Sequence, residues 1–229
     1  MKKLNMITNA KMKGGEMNMK RIVILLVVVM LVCPAIARAN TLTNSGFETG
    51  YVTPWTLLGF HTVNINSAAA HSGSYGLQMN MESPVAGDGW GGRYQNRPAT
   101  AGAVNYLKGW INVQNLNDQA NATLQIAYFN VTNPGYAIEP IAAIDTTPVI
   151  GGTQGWQYVE LTSTPAPAGT LSVRYTLAMW GAVDPYFPGA GSAYYDDIDG
   201  DVIPEPSSLL LLGTGIIGML TSTRRKKKA

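Results

Sequence analysis

The chain has 229 residues and a formal net charge of +2, but its charges are unevenly distributed. Residues 40–203 carry four Lys or Arg against twelve Asp or Glu, a net charge of −8, whereas both ends of the chain are basic. An acidic middle region does not attract a phosphate backbone, so the composition argues against nucleic acid as a partner. The few lysines and the many Thr, Asn and Gly residues favour an exported β domain over a cytosolic enzyme.

Residues 1–39 have the pattern of a signal peptide for export by the Sec machinery. Lys20 and Arg21 precede an apolar run at 22–32, and the Ala-Arg-Ala sequence at 37–39 matches a cleavage site. The expected first residue of the mature protein is therefore Asn40. The apolar run is too short for a comfortable membrane span.

Two features of this N-terminal region leave alternatives open. A start at Met17 or Met19 would give a more ordinary signal peptide, so residues 1–16 could be a mis-assigned start. The only cysteine, Cys33, could be a lipoprotein acceptor, but the residues before it are bulky and disfavour this. Cleavage at 39 would leave a mature protein without cysteine and therefore without disulfides.

Residues 204–229 have the features of a membrane-associated end. The apolar stretch 207–223 has 17 residues. As a helix it would span about 26 Å, slightly less than the hydrocarbon core of a bilayer. Five consecutive cations follow it and would stay in the cytoplasm by the positive-inside rule, which places residues 40–203 outside. They are Arg224, Arg225, Lys226, Lys227 and Lys228.

This tail resembles the PEP-CTERM sorting signal of Gram-negative bacteria. The resemblance rests on the motif Pro204, Glu205 and Pro206, on the apolar segment, on the basic cluster and on their C-terminal position. It implies recognition by an exosortase, a membrane transpeptidase. The protein would then pass through an inner-membrane intermediate to the cell surface or the extracellular matrix. The alternative is an ordinary C-terminal tail anchor.

Residues 40–203 alternate apolar with polar side chains in short runs, and no segment shows a helical period. Clusters of Gly, Pro, Asn and Ser separate these runs and predict turns. The pattern predicts an all-β fold, a two-sheet jelly-roll sandwich. The predicted strands are 77–81, 105–113, 122–131, 156–163 and 170–180.

Three stretches make this region similar to galactose-binding-like jelly rolls, which include many carbohydrate-binding modules attached to glycosidases. They are TLTNSGFETGYVTPW at 41–55, AHSGSYGLQM at 70–79 and AYYDDIDGDV at 193–202. The resemblance implies carbohydrate binding, with extracellular polysaccharide as the partner. It also implies a structural Ca²⁺ that links the first loop to the last strand.

Glu48 and Asp196 are the candidate ligands of that calcium ion, since Ca²⁺ prefers carboxylate and carbonyl oxygens. Strand alternation places Asp196 on the same face as Ile198. If Ile198 points inward, Asp196 does so too, and a buried carboxylate needs a cation or hydrogen-bond donors. This favours Asp196 over Asp197, with the carbonyls of residues 71–73 as neighbours. The alternative is that Glu48 and Asp196 only accept hydrogen bonds from backbone or tyrosine donors.

Aromatic and planar polar side chains near Gly-rich loops are the candidate carbohydrate contacts, because aromatic faces stack on sugar rings. Packing in the core is the alternative for each aromatic residue, and Trp110 and Trp156 are predicted to be core residues. The candidates are Trp90, Arg93, Tyr94, Trp180 and Tyr186, with Gln95 and Phe187 nearby.

Catalytic motifs are missing from the sequence: there is no GxSxG, HExxH or P-loop pattern. The chain is therefore predicted to be a non-catalytic exported protein that binds carbohydrate. One alternative is a structural or adhesive surface protein without a sugar site. A less favoured one is a small glycosidase, which would need two carboxylates about 5–9.5 Å apart. Its candidate carboxylates are Glu82, Asp88, Glu139, Asp145 and Asp184.

Overall fold

Short alternating runs of side chains form ten β-strands in the computed structural model, which describes residues 40–59, 61–80, 90–116, 120–180 and 191–203. These residues contain one 3-10 helix, Ser67–Ala69, and no α-helix, so the predicted all-β fold is confirmed. The strands are β1 Thr56–Gly59, β2 Thr62–Asn66, β3 Gly76–Asn80, β4 Trp90–Pro98, β5 Val104–Gln114, β6 Asn121–Phe129, β7 Asp145–Thr146, β8 Gln154–Thr162, β9 Ser172–Trp180 and β10 Ser192–Ile203.

The predicted signal peptide and the predicted sorting signal both lie outside the described residues. Within the described part of the chain, no helix combines the length and the apolar character that crossing a bilayer requires. The membrane segment predicted at 207–223 therefore stays a sequence-based prediction.

The strands form two antiparallel sheets of five strands each. The first sheet has the order β1-β4-β9-β6-β7, and the second has the order β2-β3-β10-β5-β8. Strands that are neighbours in a sheet are often distant in sequence, such as β4 and β9 or β3 and β10. This crossing of the chain between two sheets is the jelly-roll arrangement that the sequence predicts.

The core lies between the two sheets and is built from every second side chain of the long strands. Leu107, Ile111 and Val113 of β5 are buried there, as are Leu124 and Ile126 of β6. Burial of one such side chain contributes about 1.5–3 kcal/mol to the free energy of unfolding. The period-two pattern of these strands therefore determines which face of each sheet points inward.

The first sheet is covered on its outer face as well. In β9, the inward residues Val173, Tyr175 and Leu177 alternate with Arg174 and Thr176, which point outward yet are also buried. The segment 130–144 between β6 and β7 runs over this face: the backbone N–H of Ile141 donates to the carbonyl of Tyr128. A face that is both covered and polar provides the setting for a site.

A β-bulge in β10 decides the position of Asp196. Asp196 pairs with Trp110 and Asp199 pairs with Lys108, so β10 carries one extra residue in this interval. Asp197 absorbs it in a left-handed conformation with φ of 52°. Ile198 points inward as expected, but the bulge reverses the alternation, and Asp196 lies on the outer face of the second sheet. The alternation argument was therefore wrong about the face of Asp196, although the residue is fully buried.

Candidate functional site

A cleft of about 140 Å³ opens on the outer face of the first sheet. Strands β6 and β9 form its floor, and the segment 136–144 forms its wall. The volume is below the 300–1,000 Å³ that is usual for small-molecule pockets, so the cleft suits one ring or side group of a larger ligand. Its lining residues are Leu58, Gln125, Ala127, Phe129, Tyr136, Ile138, Glu139, Pro140, Ile144, Arg174 and Thr176.

The buried side chain of Arg174 holds the wall of the cleft against its floor. Its Nη2 donates to the carbonyl oxygens of Pro134 and Gly135, both at 2.8 Å, and its Nε donates to Asn96 Oδ1 at 3.2 Å. Asn96 in turn donates to the carbonyl of Pro134 at 3.0 Å. These bonds fix the segment that carries the wall residues.

Two aromatic rings pack on the Arg174 guanidinium. Its Cζ lies 4.2 Å from the ring centroid of Tyr94 and 4.5 Å from that of Phe129. A cation over the face of an aromatic ring is attracted by the ring quadrupole. Burial lowers the pKa of Arg174 from its ordinary value, an effect that Tyr94 partly opposes. The arginine stays charged at any physiological pH, because its ordinary pKa is above 12.

Three polar groups of the cleft floor have no hydrogen-bond partner in the described part of the chain. They are Nη1 of Arg174, the side-chain amide of Gln125 and the hydroxyl of Thr176. Gln125 and Thr176 are neighbours across the β6–β9 pair. Polar groups in a buried environment are normally paired. Groups left unpaired at the floor of an open cleft are therefore placed to bind a ligand or water.

The wall of the cleft is apolar and exposed. Tyr136 is 75% exposed, and Ile138 and Ile144 are also exposed. Glu139 lies among them as the carboxylate of the lining residues. Apolar walls around a few convergent polar groups are the usual composition of a ligand site.

Trp90 and Trp180, two of the predicted carbohydrate contacts, lie at one end of the first sheet. Trp90 opens β4 and pairs with Trp180, the last residue of β9. Trp180 is 41% exposed. Tyr94 is also on β4 but is buried beneath Arg174, so its ring supports the cleft floor rather than presenting a free face.

Arg93 and Gln95 lie on the opposite face of β4 from Tyr94. Gln95 exchanges hydrogen bonds with the backbone of Thr43 at 2.7 and 3.1 Å, which ties the N-terminal segment to the sheet. Arg93 is half-buried, and its Nε has no hydrogen-bond partner. Burial lowers the pKa of Arg93 from its ordinary value. The structure therefore does not bring Arg93 together with Tyr94 and Trp180. The candidates Tyr186 and Phe187 lie outside the described residues.

Trp110 and Trp156 belong to a surface cluster and not to the core. Both are partly exposed on the outer face of the second sheet. The ring of His71 stacks on Trp110 at 4.0 Å between centroids and meets Trp156 edge-on at 5.3 Å. Tyr158, which is 50% exposed, lies edge-on to Trp110 at 5.5 Å. The prediction that Trp110 and Trp156 are core residues was wrong, because position in an alternating strand does not tell which face is covered.

The two candidate calcium ligands are both bound by backbone N–H groups. Asp196 Oδ2 accepts from the amides of His71 and Ser72 at 2.7 and 3.0 Å, and its Oδ1 accepts from Asp197 at 2.8 Å. Burial raises the pKa of Asp196 above its ordinary value, although these hydrogen bonds oppose the shift.

Glu48 closes the adjacent loop in the same way. Its carboxylate accepts from the amides of Ser74 and Tyr75 at 3.0–3.1 Å. It packs on Gly73, where an added Cβ would lie 2.3 Å from Glu48 Oε1 and where φ is +67°. These contacts correspond to the hydrogen-bonding alternative for Glu48 and Asp196.

Backbone N–H groups already supply hydrogen-bond donors to both carboxylates, so these contacts account for the two side chains without a cation. Among the described residues, no group of three or more His, Cys, Asp or Glu side chains is placed to hold a metal. Calcium binding stays a prediction for experiment.

The sequence reasoning missed three of the residues that form the cleft floor. Arg174, Gln125 and Thr176 occupy the polar positions of strands whose apolar positions were recognised. The available signal was Arg174 itself, one of only four cations in residues 40–203 and placed inside an apolar strand. A charged residue inside an apolar strand indicates that the outer face of that sheet is covered by another segment and is polar.

Comparisons with known proteins concern two separate parts of the chain. Residues 202–226 match the PEP-CTERM protein-sorting motif, which confirms the sequence-based recognition of the tail. Comparison of the sequence with curated proteins finds no match.

Similar solved structures are jelly-roll modules. TmCBM61, solved in complex with β-1,4-galactotriose, has 17% identity and a TM-score of 0.48, and the match covers 72% of this chain and 99% of that one. The CBM22-1 xylan-binding domain of Paenibacillus barcinonensis Xyn10C has 15% identity and a TM-score of 0.44, with 71% and 94% covered. Tailspike protein 4 of bacteriophage CBA120, an enzymatically active domain, has 14% identity and a TM-score of 0.51, with 72% and 21% covered. At these identities the likeness concerns the fold. Residues 202–226 thus carry a PEP-CTERM sorting motif, and the described residues form a two-sheet β-sandwich.

Proposed function

We propose that this protein is an exosortase-processed surface or matrix component whose jelly-roll domain binds carbohydrate without catalysis. The observation that carries the binding proposal is the cleft floor, where Arg174 Nη1, the Gln125 amide and the Thr176 hydroxyl have no partner in the described chain. The sorting motif at 202–226 supports the export proposal. The modules of similar fold are a third, weaker support, because fold does not determine function.

The chemistry of the cleft suits a sugar. Sugar rings present hydroxyl groups around an edge and C–H groups on their faces, so they need a few hydrogen-bonding groups beside an apolar surface. The floor supplies the donors and acceptors, and exposed Tyr136 with Ile138 supplies the apolar surface. Trp180 adds an exposed aromatic side chain on the same sheet.

Binding is favoured over the two alternatives. A purely structural protein would be expected to bury its tryptophans, whereas Trp180 is exposed and Trp110 and Trp156 are partly so. A glycosidase needs a pair of carboxylates. Glu139 is the one carboxylate among the described lining residues, and Asp145 accepts hydrogen bonds from Thr164 instead.

We expect the substitution Gln125→Ala to weaken glycan binding up to roughly tenfold, the effect of losing one or two neutral hydrogen bonds. The melting temperature should hardly change, because the Gln125 amide makes no hydrogen bond with the residues that the structure describes. Titration of the purified full-length protein with a panel of polysaccharides, followed by tryptophan fluorescence, measures the effect. The matched control is Gln114→Ala, an exposed glutamine on the second sheet. An equal loss in both variants, or no saturable binding by any glycan, would contradict the proposal.

The export proposal predicts that replacing Pro204, Glu205 and Pro206 by alanine blocks processing. Without the extended, proline-bounded motif, the transpeptidase loses the segment that it is proposed to recognise. The uncleaved chain should then accumulate in the inner-membrane fraction. Immunoblots of cell fractions from hosts with and without an exosortase measure this, with Ser207→Ala as the control. Normal processing of the alanine variant would refute the assignment.

A further inference from the structure

Arg174 is a buried cation that forms no ion pair with the described carboxylates. The ion pairs formed by the described residues are His71 with Asp197 and Lys108 with Asp199. Arg174 takes part in neither ion pair, although only 5% of the residue is exposed to solvent. A buried cation without an anion is poorly compensated, since carbonyl groups supply only partial negative charge.

The surroundings of Arg174 leave one edge of the guanidinium available. Its ring contacts are Tyr94 and Phe129, and its Nε and Nη2 donate to Asn96 Oδ1 and to the carbonyls of Pro134 and Gly135. Nη1 makes no hydrogen bond within the described chain, and the residue lines the cleft. The guanidinium is therefore held by its Nε and Nη2 bonds in a residue that lines the cleft, while Nη1 keeps its hydrogen-bonding capacity.

We propose that this cleft selects a carboxylate-bearing sugar, a uronic acid residue of an acidic polysaccharide, through the Nη1 edge of Arg174. The inference rests on the proposed glycan-binding function and specifies its ligand class. A sugar carboxylate would form a charge-assisted hydrogen bond with Nη1 and would supply the missing anion. Gln125 and Thr176 on the same floor then contact ring hydroxyls.

Two negative contributions oppose an acidic ligand and have to be weighed. Residues 40–203 carry a net charge of −8, and Glu139 lies on the cleft wall. Salt screens exposed charges beyond about 8 Å at physiological ionic strength, so most of the net charge acts weakly at the cleft. Glu139 lines the same cleft, and it should reduce the affinity for an acid without abolishing it.

The test compares acidic polymers with their own uncharged forms. Polygalacturonate, alginate and hyaluronate, each with its carboxyl-reduced counterpart, are titrated against full-length protein at low and high NaCl concentration. We expect at least tenfold tighter binding of one acidic polymer than of its reduced form, and this preference should shrink in high salt.

Two variants separate the charge effect from loss of the fold. Arg174→Gln should abolish the preference for the acid, and its melting temperature shows whether the cleft wall has loosened. Glu139→Gln leaves the floor intact, because Glu139 is exposed and forms no ion pair with described residues. It should raise the affinity for the acidic polymer severalfold more than it changes the affinity for the reduced polymer.

The outcomes distinguish this inference from the function on which it rests. Tighter or equal binding of the reduced polymers would overturn the acidic preference and leave glycan binding standing. A Glu139→Gln variant that binds the acid no better than the parent protein would also overturn it. Failure to bind either form of any polymer would overturn both proposals.

Discussion

Asp196→Asn is expected to lower the free energy of unfolding by about 3 kcal/mol, because part-buried N–H groups that face this fully buried side chain would lose an acceptor and face a new donor. Each carboxylate oxygen of Asp196 accepts at least one backbone amide, from His71 and Ser72 on one side and from Asp197 on the other. Whichever position the asparagine NH₂ takes, it points at an N–H group. For a domain of this size the loss corresponds to a fall in melting temperature of about 6–12 °C.

Glu48→Gln is the matched control for this prediction. Glu48 also accepts backbone amides, but it is exposed, so the new NH₂ can turn to solvent. We expect a loss below about 1 kcal/mol, which is typical of surface substitutions. Thermal melts of the parent protein and of both variants measure the difference. Equal stability of Asp196→Asn and the parent would contradict the role of these hydrogen bonds.

The same melts, repeated with calcium and with EDTA, test the calcium prediction. If the N–H donors alone satisfy both carboxylates, EDTA should leave the melting temperature of the parent protein unchanged. If a calcium ion binds Glu48 and Asp196 instead, EDTA should lower it, and Glu48→Gln should then be as damaging as Asp196→Asn.

Stability is also expected to fall as the solution is acidified from pH 6.5 to pH 4, because of His61. Neither ring nitrogen of His61 has a hydrogen-bond partner in the described chain. Burial, with a smaller contribution from the charge of Arg93, lowers the pKa of His61 to about 4 from the ordinary 6.5. The ring packs on β4 at Gly91, where an added Cβ would lie 2.3 Å from His61 Nδ1.

The sign follows from proton binding in the two states. Between pH 6.5 and pH 4 the unfolded chain protonates His61 while the folded protein does not, so the unfolded state gains stability. The contribution of His61 to the free energy of unfolding is fully present above pH 6.5 and is lost by pH 4. This contribution amounts to about 2 kcal/mol after allowance for partial exposure of the ring.

His61→Leu should remove this pH dependence, and it should not destabilise the protein at pH 7, since it deletes unpaired buried nitrogens. Chemical denaturation at pH 7 and pH 4.5 measures the effect as a difference between parent and variant, which cancels the titration of Asp196. Arg93→Met, which removes the neighbouring charge, should weaken the slope only in part. The same pH slope in His61→Leu as in the parent would assign the titration to another group.

The sequence by itself determined the fold class and the sorting motif. Strand alternation and turn clusters depend on neighbouring residues, so they predicted the all-β sandwich and the long strands β5, β6, β8 and β9. The motif from Pro204 to Pro206 is likewise contiguous, and residues 202–226 match the sorting motif. Short strands such as β1 and β7 were not predicted, because two to four residues are too few to show a clear alternation.

Only the tertiary structure decided which polar residues form a site. Alternation assigns side chains to the two faces of a sheet but does not say which outer face another segment covers. Trp110 was therefore predicted to be a core residue, and Arg174 was not recognised as a site residue. The bulge at Asp197 reversed the face of Asp196 within one strand. The cleft joins β6, β9 and the segment 136–144, which meet through the antiparallel pairing of strands about 50 residues apart in sequence. Such contacts depend on the order in which the strands pair, and local residue patterns do not encode that order.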